Sequence, residues 1–162
     1  MTFSETYLPE FDHEMTNTRT IVDCVPEDKL AWKPHAKSMS LGTLAGHISD
    51  LVGWAGMVIG QDKLEMTPGT VPKAPATKAQ LMESLEKNIA ASREAIAGAT
   101  DEHLANNWAF LYGGQPIFSM PRTQVLRSVV MNHVIHHRGQ LSVYLRLLDV
   151  KIPGMYGPSA DV

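Results

Sequence analysis

Hydrophobic positions fall into four stretches with helical spacing. In the first, Phe11, Met15, Thr18, Val22 and Val25 recur at steps of three and four, and Pro26 marks a stop. Pro9 fits the first turn of this helix, which leaves Phe3 to Leu8 extended or in a short separate turn. Ser40 predicts the N-cap of a second helix, with Leu44, Ile48, Leu51, Ala55 and Val58 on one face and Gly60 at its end. The third runs from about Thr77 to Ala97 and turns Leu81, Leu85, Ile89 and Ile96 inward. The fourth is the longest, from about Pro121 to Leu148, with Leu126, Val129, Val130, Leu141, Tyr144, Leu145 and Leu148 on its inner side.

The connections carry less pattern. Residues 61–76, with Pro68, Pro72 and Pro75, predict a surface loop or a long crossover rather than a domain boundary. Trp108 to Tyr112, Gly113-Gly114 and Ile117 to Ser119 fit a short hairpin or an extended excursion. The expectation is an all-α four-helix bundle forming one domain over residues 1–162.

Composition changes this picture mainly by exclusion. The chain is 44% hydrophobic with a formal net charge of −3, and its Lys and Arg form no block or stripe. A duplex binder neutralises phosphates with such a stripe, so nucleic acid is not an expected partner. No apolar run reaches the roughly 20 residues that span a bilayer, and the start of the chain lacks a signal-peptide pattern. The lone Cys24 cannot form an internal disulfide and fits a small buried hydrophobe. Together these point to a soluble, cytoplasmic protein.

The candidate chemistry lies in the histidines, of which there are seven. Three stand where leucine would be expected. His47 falls three residues after Leu44 and four before Leu51; His133 follows Val129 by four, and His137 precedes Leu141 by four. Residues at i and i+4 share a helical face, so His133 and His137 can reach one ion, with a third imidazole arriving from a facing helix. A single histidine on an apolar face is usually a satisfied core residue, and H-x-x-x-H also arises by chance. The residues alone therefore leave metal and core readings open.

His136 is rotated about 100° from His137 and fits a supporting contact, a subunit contact or a pocket rim. His13, His35 and His103 have no visible partner and default to the surface. No carboxylate lies between His133 and His137, so the H-E-x-x-H protease template does not apply. Asp50 could orient His47 or simply be a solvated charge. Arg138 turns away from the inward stripe, and neither it nor Gln140 is given a role. Gly139 inside a helix suggests a helix crossing or a dimer contact.

At larger scale, His133-Val134-Ile135-His136-His137-Arg138-Gly139-Gln140-Leu141 resembles the last-helix signature of the DinB-like (YfiT-like) superfamily. Lys33-Pro34-His35, the run from Lys37 to His47 and the tail from Pro153 to Asp161 resemble it too. The resemblance implies a four-helix bundle in an up-down-down-up arrangement, often dimeric. It also implies a metal triad of one histidine on the second helix and the H-x-x-x-H pair on the fourth, here His47, His133 and His137. The implied ion is divalent: zinc or nickel suit imidazole, and iron or manganese are compatible. The implied activities are metal-dependent hydrolysis or transfer of a low-molecular-weight thiol, with a small molecule as partner. A non-catalytic metal-binding stress protein is the alternative.

Overall fold

The computed structural model describes residues 1–161. Four long helices dominate: α1 (Phe3–Val22), α2 (Leu41–Gly60), α3 (Lys78–Gly98) and α6 (Asn132–Leu147). The short helices α4 (Asp101–Ala105) and α5 (Arg122–Gln124) lie between them. A three-stranded sheet is added to these helices, so the purely helical expectation is corrected to a mostly helical fold with strands.

Helix α1 begins a turn and a half earlier than the apolar spacing suggests. Thr2 and Glu5 form a reciprocal cap, with Glu5 N donating to Thr2 Oγ1 at 3.2 Å and Thr2 N to Glu5 Oε2 at 2.7 Å. Phe3 to Leu8 is therefore helical, and exposed Pro9 sits inside the helix rather than at its start. Ser40 and Thr77 cap α2 and α3 through the amides of Thr43 and Gln80.

Side-chain pairs show how the helices run. Ser4 donates to Ile96 O and Arg93 pairs with Asp12, which makes α1 and α3 antiparallel. Ser49 bonds Ser84 and Ser92 bonds Val52 O, so α2 and α3 are parallel. Between those two, Gly53 permits close approach: a Cβ there would lie 3.1 Å from Asn88 Cγ. Tyr7 bonds Leu126 O and Glu14 bonds Arg138, so α1 runs parallel to α6. Helix α2 runs antiparallel to α6, because Val58 meets Arg122 while His47 meets His137. Phe11, Met15, Leu44, Leu51, Leu85 and Leu141 lie in the core these faces enclose.

The strands are β1 (Lys63–Met66), β2 (Asn107–Tyr112) and β3 (Gln115–Pro121). Strands β2 and β3 form a hairpin across Gly113 and Gly114, both at positive φ (57° and 79°), which is the conformation a two-residue hairpin turn requires. Strand β1 pairs parallel to β2, so part of the stretch expected to be loop is a strand. Buried Arg122 locks this layer onto the end of α2. Its guanidinium donates to Val58 O, Gln61 O, Asn107 O and the Asp62 carboxylate.

From Arg122 to Leu147 the backbone stays helical but is not uniform. Val125–Met131 is π-helical, with wider turns, directly ahead of the first histidine of the pair. Buried Tyr7 donates to the Leu126 carbonyl in this stretch at 2.9 Å, and burial pushes its hydroxyl well above the usual phenol range.

Candidate metal centre

Helices α2 and α6 bring His47, His133 and His137 together. One ring nitrogen from each lies within 4.8 Å of the others. Ring centroids are 5.4 Å apart for His47 and His133, and 4.7 Å for His47 and His137. His47 and His133 are half-buried, and His137 is 8% exposed. The cluster therefore sits partly exposed between α2 and α6 rather than in the middle of the core.

All three imidazoles favour the neutral form. Burial, then the neighbouring His137 and His133, lowers the His47 pKa to about 4. Burial also lowers His133, followed by the effects of His137 and His136. His137 is lowered mainly by burial, partly opposed by its bond to Gln140. Near neutral pH each ring thus offers a lone pair.

Gln140 determines which lone pair His137 presents. Its Oε1 lies 2.8 Å from His137 Nδ1, so Nδ1–H donates and Nε2 is left free. That Nε2 faces His133 Nε2 at 2.9 Å. With no cation present, one of the two must carry the proton. A shared divalent ion removes that requirement by accepting from both, so the donor set fits a metal. Gln140 Nε2 also reaches His136 Nε2 at 3.1 Å, linking exposed His136 to the cluster through the amide. A role for Gln140, set aside on sequence grounds, is visible in its i+3 spacing from His137.

The remaining candidates separate clearly. Asp50 is exposed and makes no hydrogen bond to His47 among the described residues; it lines a cleft with Lys73, Gln80 and Ser84. His13 and His35 are exposed, while His103 is half-buried against Ile59 O at 2.8 Å. Cys24 is half-buried, and burial raises its thiol pKa, the opposite of activation.

Arg138 turns away from the histidines, as its position in the helix implies, and the side it faces is buried. Its side chain is 2% exposed and pairs with Glu14, itself 7% exposed. It also donates to Glu14 O at 2.9 Å, to Thr18 Oγ1 at 3.2 Å and to the Tyr156 hydroxyl. The Tyr156 hydroxyl in turn donates to the Glu14 carboxylate at 2.9–3.0 Å. Gly139 is also not at a helix crossing within the chain, since a Cβ there would meet nothing within 4 Å.

This fold and histidine cluster define a mostly helical protein with a candidate metal-binding site, and the model of the DinB family matches residues 1–161. The chain belongs to the DinB family. It is 22% identical over 155 residues to the uncharacterized protein YrdA of Bacillus subtilis (strain 168), covering 96% of this chain and 89% of that protein. Among solved structures it is similar to a DinB-like protein from Bacillus cereus ATCC 10987. That match has a TM-score of 0.72 and 24% identity, covering 94% of this chain and 97% of the other. The DinB-like protein YjoA from Bacillus subtilis gives a TM-score of 0.68 at 19% identity, covering 91% and 96% of the two chains. At these identities the structural matches speak to fold alone. Among the described residues, no helix is long and apolar enough to cross a membrane.

Proposed function

We propose that His47, His133 and His137 hold one divalent ion, zinc or nickel by ligand preference, and that the site serves metal-dependent hydrolysis or low-molecular-weight-thiol transfer. The observation that carries this reading is the convergence of three neutral imidazoles within 4.8 Å, with no carboxylate or thiol in the group. An ion held by three neutral ligands keeps its full charge and can polarise an oxygen or sulfur donor of a small molecule. The protein's own contribution is to keep the rings neutral by burial and to fix the His137 tautomer through Gln140.

Metal content of untagged protein, measured beside a His133→Ala variant, tests the site. One equivalent in the wild type and a large loss in the variant are expected; equal, negligible metal in both removes the proposal. Turnover is tested separately, with metal-loaded protein against ester, amide and phosphoester panels and in a thiol-consumption assay with several electrophiles. Metal binding without any turnover would leave a non-catalytic metal-binding protein.

We also propose that the chain forms a homodimer through the outer face of α6. Gly139, Val143 and Leu147 stand at i, i+4 and i+8 on that face, with Val143 57% and Leu147 59% exposed. Val143→Glu is expected to yield monomer by light scattering; an unchanged mass would count against this face.

A further inference from the structure

A cavity of about 240 Å3 lies between α6 and the C-terminal tail. Ile135, Arg138, Gly139 and Ser142 line it from the helix, and Met155 and Tyr156 from the tail. At 100° per residue these four helical positions face away from His133 and His137, so the space is separate from the candidate metal centre. The tail that walls it is pinned on both sides of Tyr156. Asp161 accepts from Arg146 at 2.6 Å and from Ile152 N at 3.0 Å, and Ser159 Oγ donates to Ile152 O at 2.8 Å. The Tyr156 ring lies 5.5 Å from Arg138 Cζ. The cavity is thus built into the fold.

Two of its residues point to an occupant. Glycine is the poorest helix former after proline, and no close packing within the chain requires one at 139, where a Cβ would meet nothing within 4 Å. Its effect is to leave room. Arg138 supplies the second sign. Nη1 donates to Glu14 O and Thr18 Oγ1, and Nη2 to the Glu14 carboxylate and the Tyr156 hydroxyl, which uses all four Nη hydrogens. The fifth donor, Nε–H, has no partner among the described residues, on a side chain only 2% exposed. A buried donor left without an acceptor is costly, and an oxygen entering the cavity would meet that need.

The lining also says what kind of molecule fits. Glu14 already neutralises Arg138, and no other lining residue is charged, so an anion would have to share one cation with a buried carboxylate. Ser142 Oγ spends its hydrogen on Gly139 O at 2.7 Å. Ile135, Met155 and the Tyr156 ring offer apolar surface. Apolar walls with a few placed polar groups are the usual make-up of a small-molecule site.

We propose that this cavity binds a small neutral molecule carrying one acceptor oxygen on an apolar body, with the oxygen taking the Arg138 Nε–H. The space is about eight times the roughly 30 Å3 that one water occupies in the liquid, which suits a single six-membered ring.

Cyclohexanone and methylenecyclohexane test this, since they match in shape and only the first has the oxygen. Cyclohexanone titrated into full-length protein is expected to shift the Arg138 Nε–H resonance saturably. Methylenecyclohexane is expected to bind roughly tenfold more weakly, the loss of one hydrogen bond to a charged donor. Gly139→Leu fills the cavity and should abolish binding; Ser142→Leu replaces it if that variant does not fold. No saturable shift with cyclohexanone overturns the proposal. Equal affinity for the hydrocarbon, or unchanged affinity in the filled variant, does the same. Val143→Glu provides the remaining control: binding seen only in that variant would mean that a second copy of the chain fills the cavity, and the small-molecule site would fall.

Discussion

His137 and Arg138 are consecutive, yet they face two differently built regions. On one side of α6, the Arg138 guanidinium is buried and held by Glu14, Thr18 and Tyr156. On the other, His133 and His137 turn nitrogens toward each other with a single proton to share. The first face is electrostatically closed within the protein. The second is held by one proton between two imidazoles. Buried polar groups are normally satisfied. The Glu14–Arg138 face meets that rule with several charged bonds, the histidine face with one N–H···N contact, which is the weaker hold and the one a cation could replace.

The strongest way to break this comparison is to open the closed face. Arg138→Ala leaves Glu14 buried without its partner and is expected to cost about 3–5 kcal/mol in urea unfolding. A loss under about 1 kcal/mol would mean the pair holds nothing. Replacing both, as Glu14→Leu with Arg138→Met, should recover most of that loss, because paired burial is itself expensive.

Gln140→Leu sharpens the other side. It removes the acceptor that fixes the His137 tautomer and is expected to lower zinc affinity roughly 10–100-fold in chelator competition. Its effect on stability should stay within about 0.5 kcal/mol, since Gln140 is exposed. Unchanged affinity would make Gln140 a bystander. Tyr156→Phe removes one hydroxyl from the closed network and should cost about 1 kcal/mol, read from the same urea curves.

The smallest effect is a pH slope. The folded pKa of His47 is lowered from 6.5 to about 4, so the unfolded chain binds the proton more readily. For metal-free protein this contribution is fully present above pH 6.5 and is lost as pH falls toward 4. His47→Ala should flatten that part of the stability profile; an identical slope would show that His47 is not shielded.

Much of this was legible in the chain. The caps at Ser40 and Thr77, the apolar rows of α2 and α3 and the face shared by His133 and His137 are local signals, and local signals survive in sequence. The burial of Arg138 was missed because arginine is rarely buried, although it lies four residues after Val134 and three before Leu141, in a buried row. Its partner Glu14 is 124 positions away, beyond any periodicity. Strand β1 escaped for the same reason, as its pairing with β2 joins residues more than forty positions apart. The early start of α1 could have been read from Thr2 and Glu5, but Pro9 drew the boundary inward.

The π-helical stretch before His133 holds slack in the last helix. One residue of sequence corresponds to about 100° of rotation in an α-helix, and a π turn absorbs an extra residue without breaking the rod. Deleting one residue between Val125 and Met131 would let that segment tighten into α-helix, with Arg122 on one side and His133 with His137 on the other keeping their directions. An insertion or deletion would be tolerated there that elsewhere in the helix would turn the two histidines away from His47.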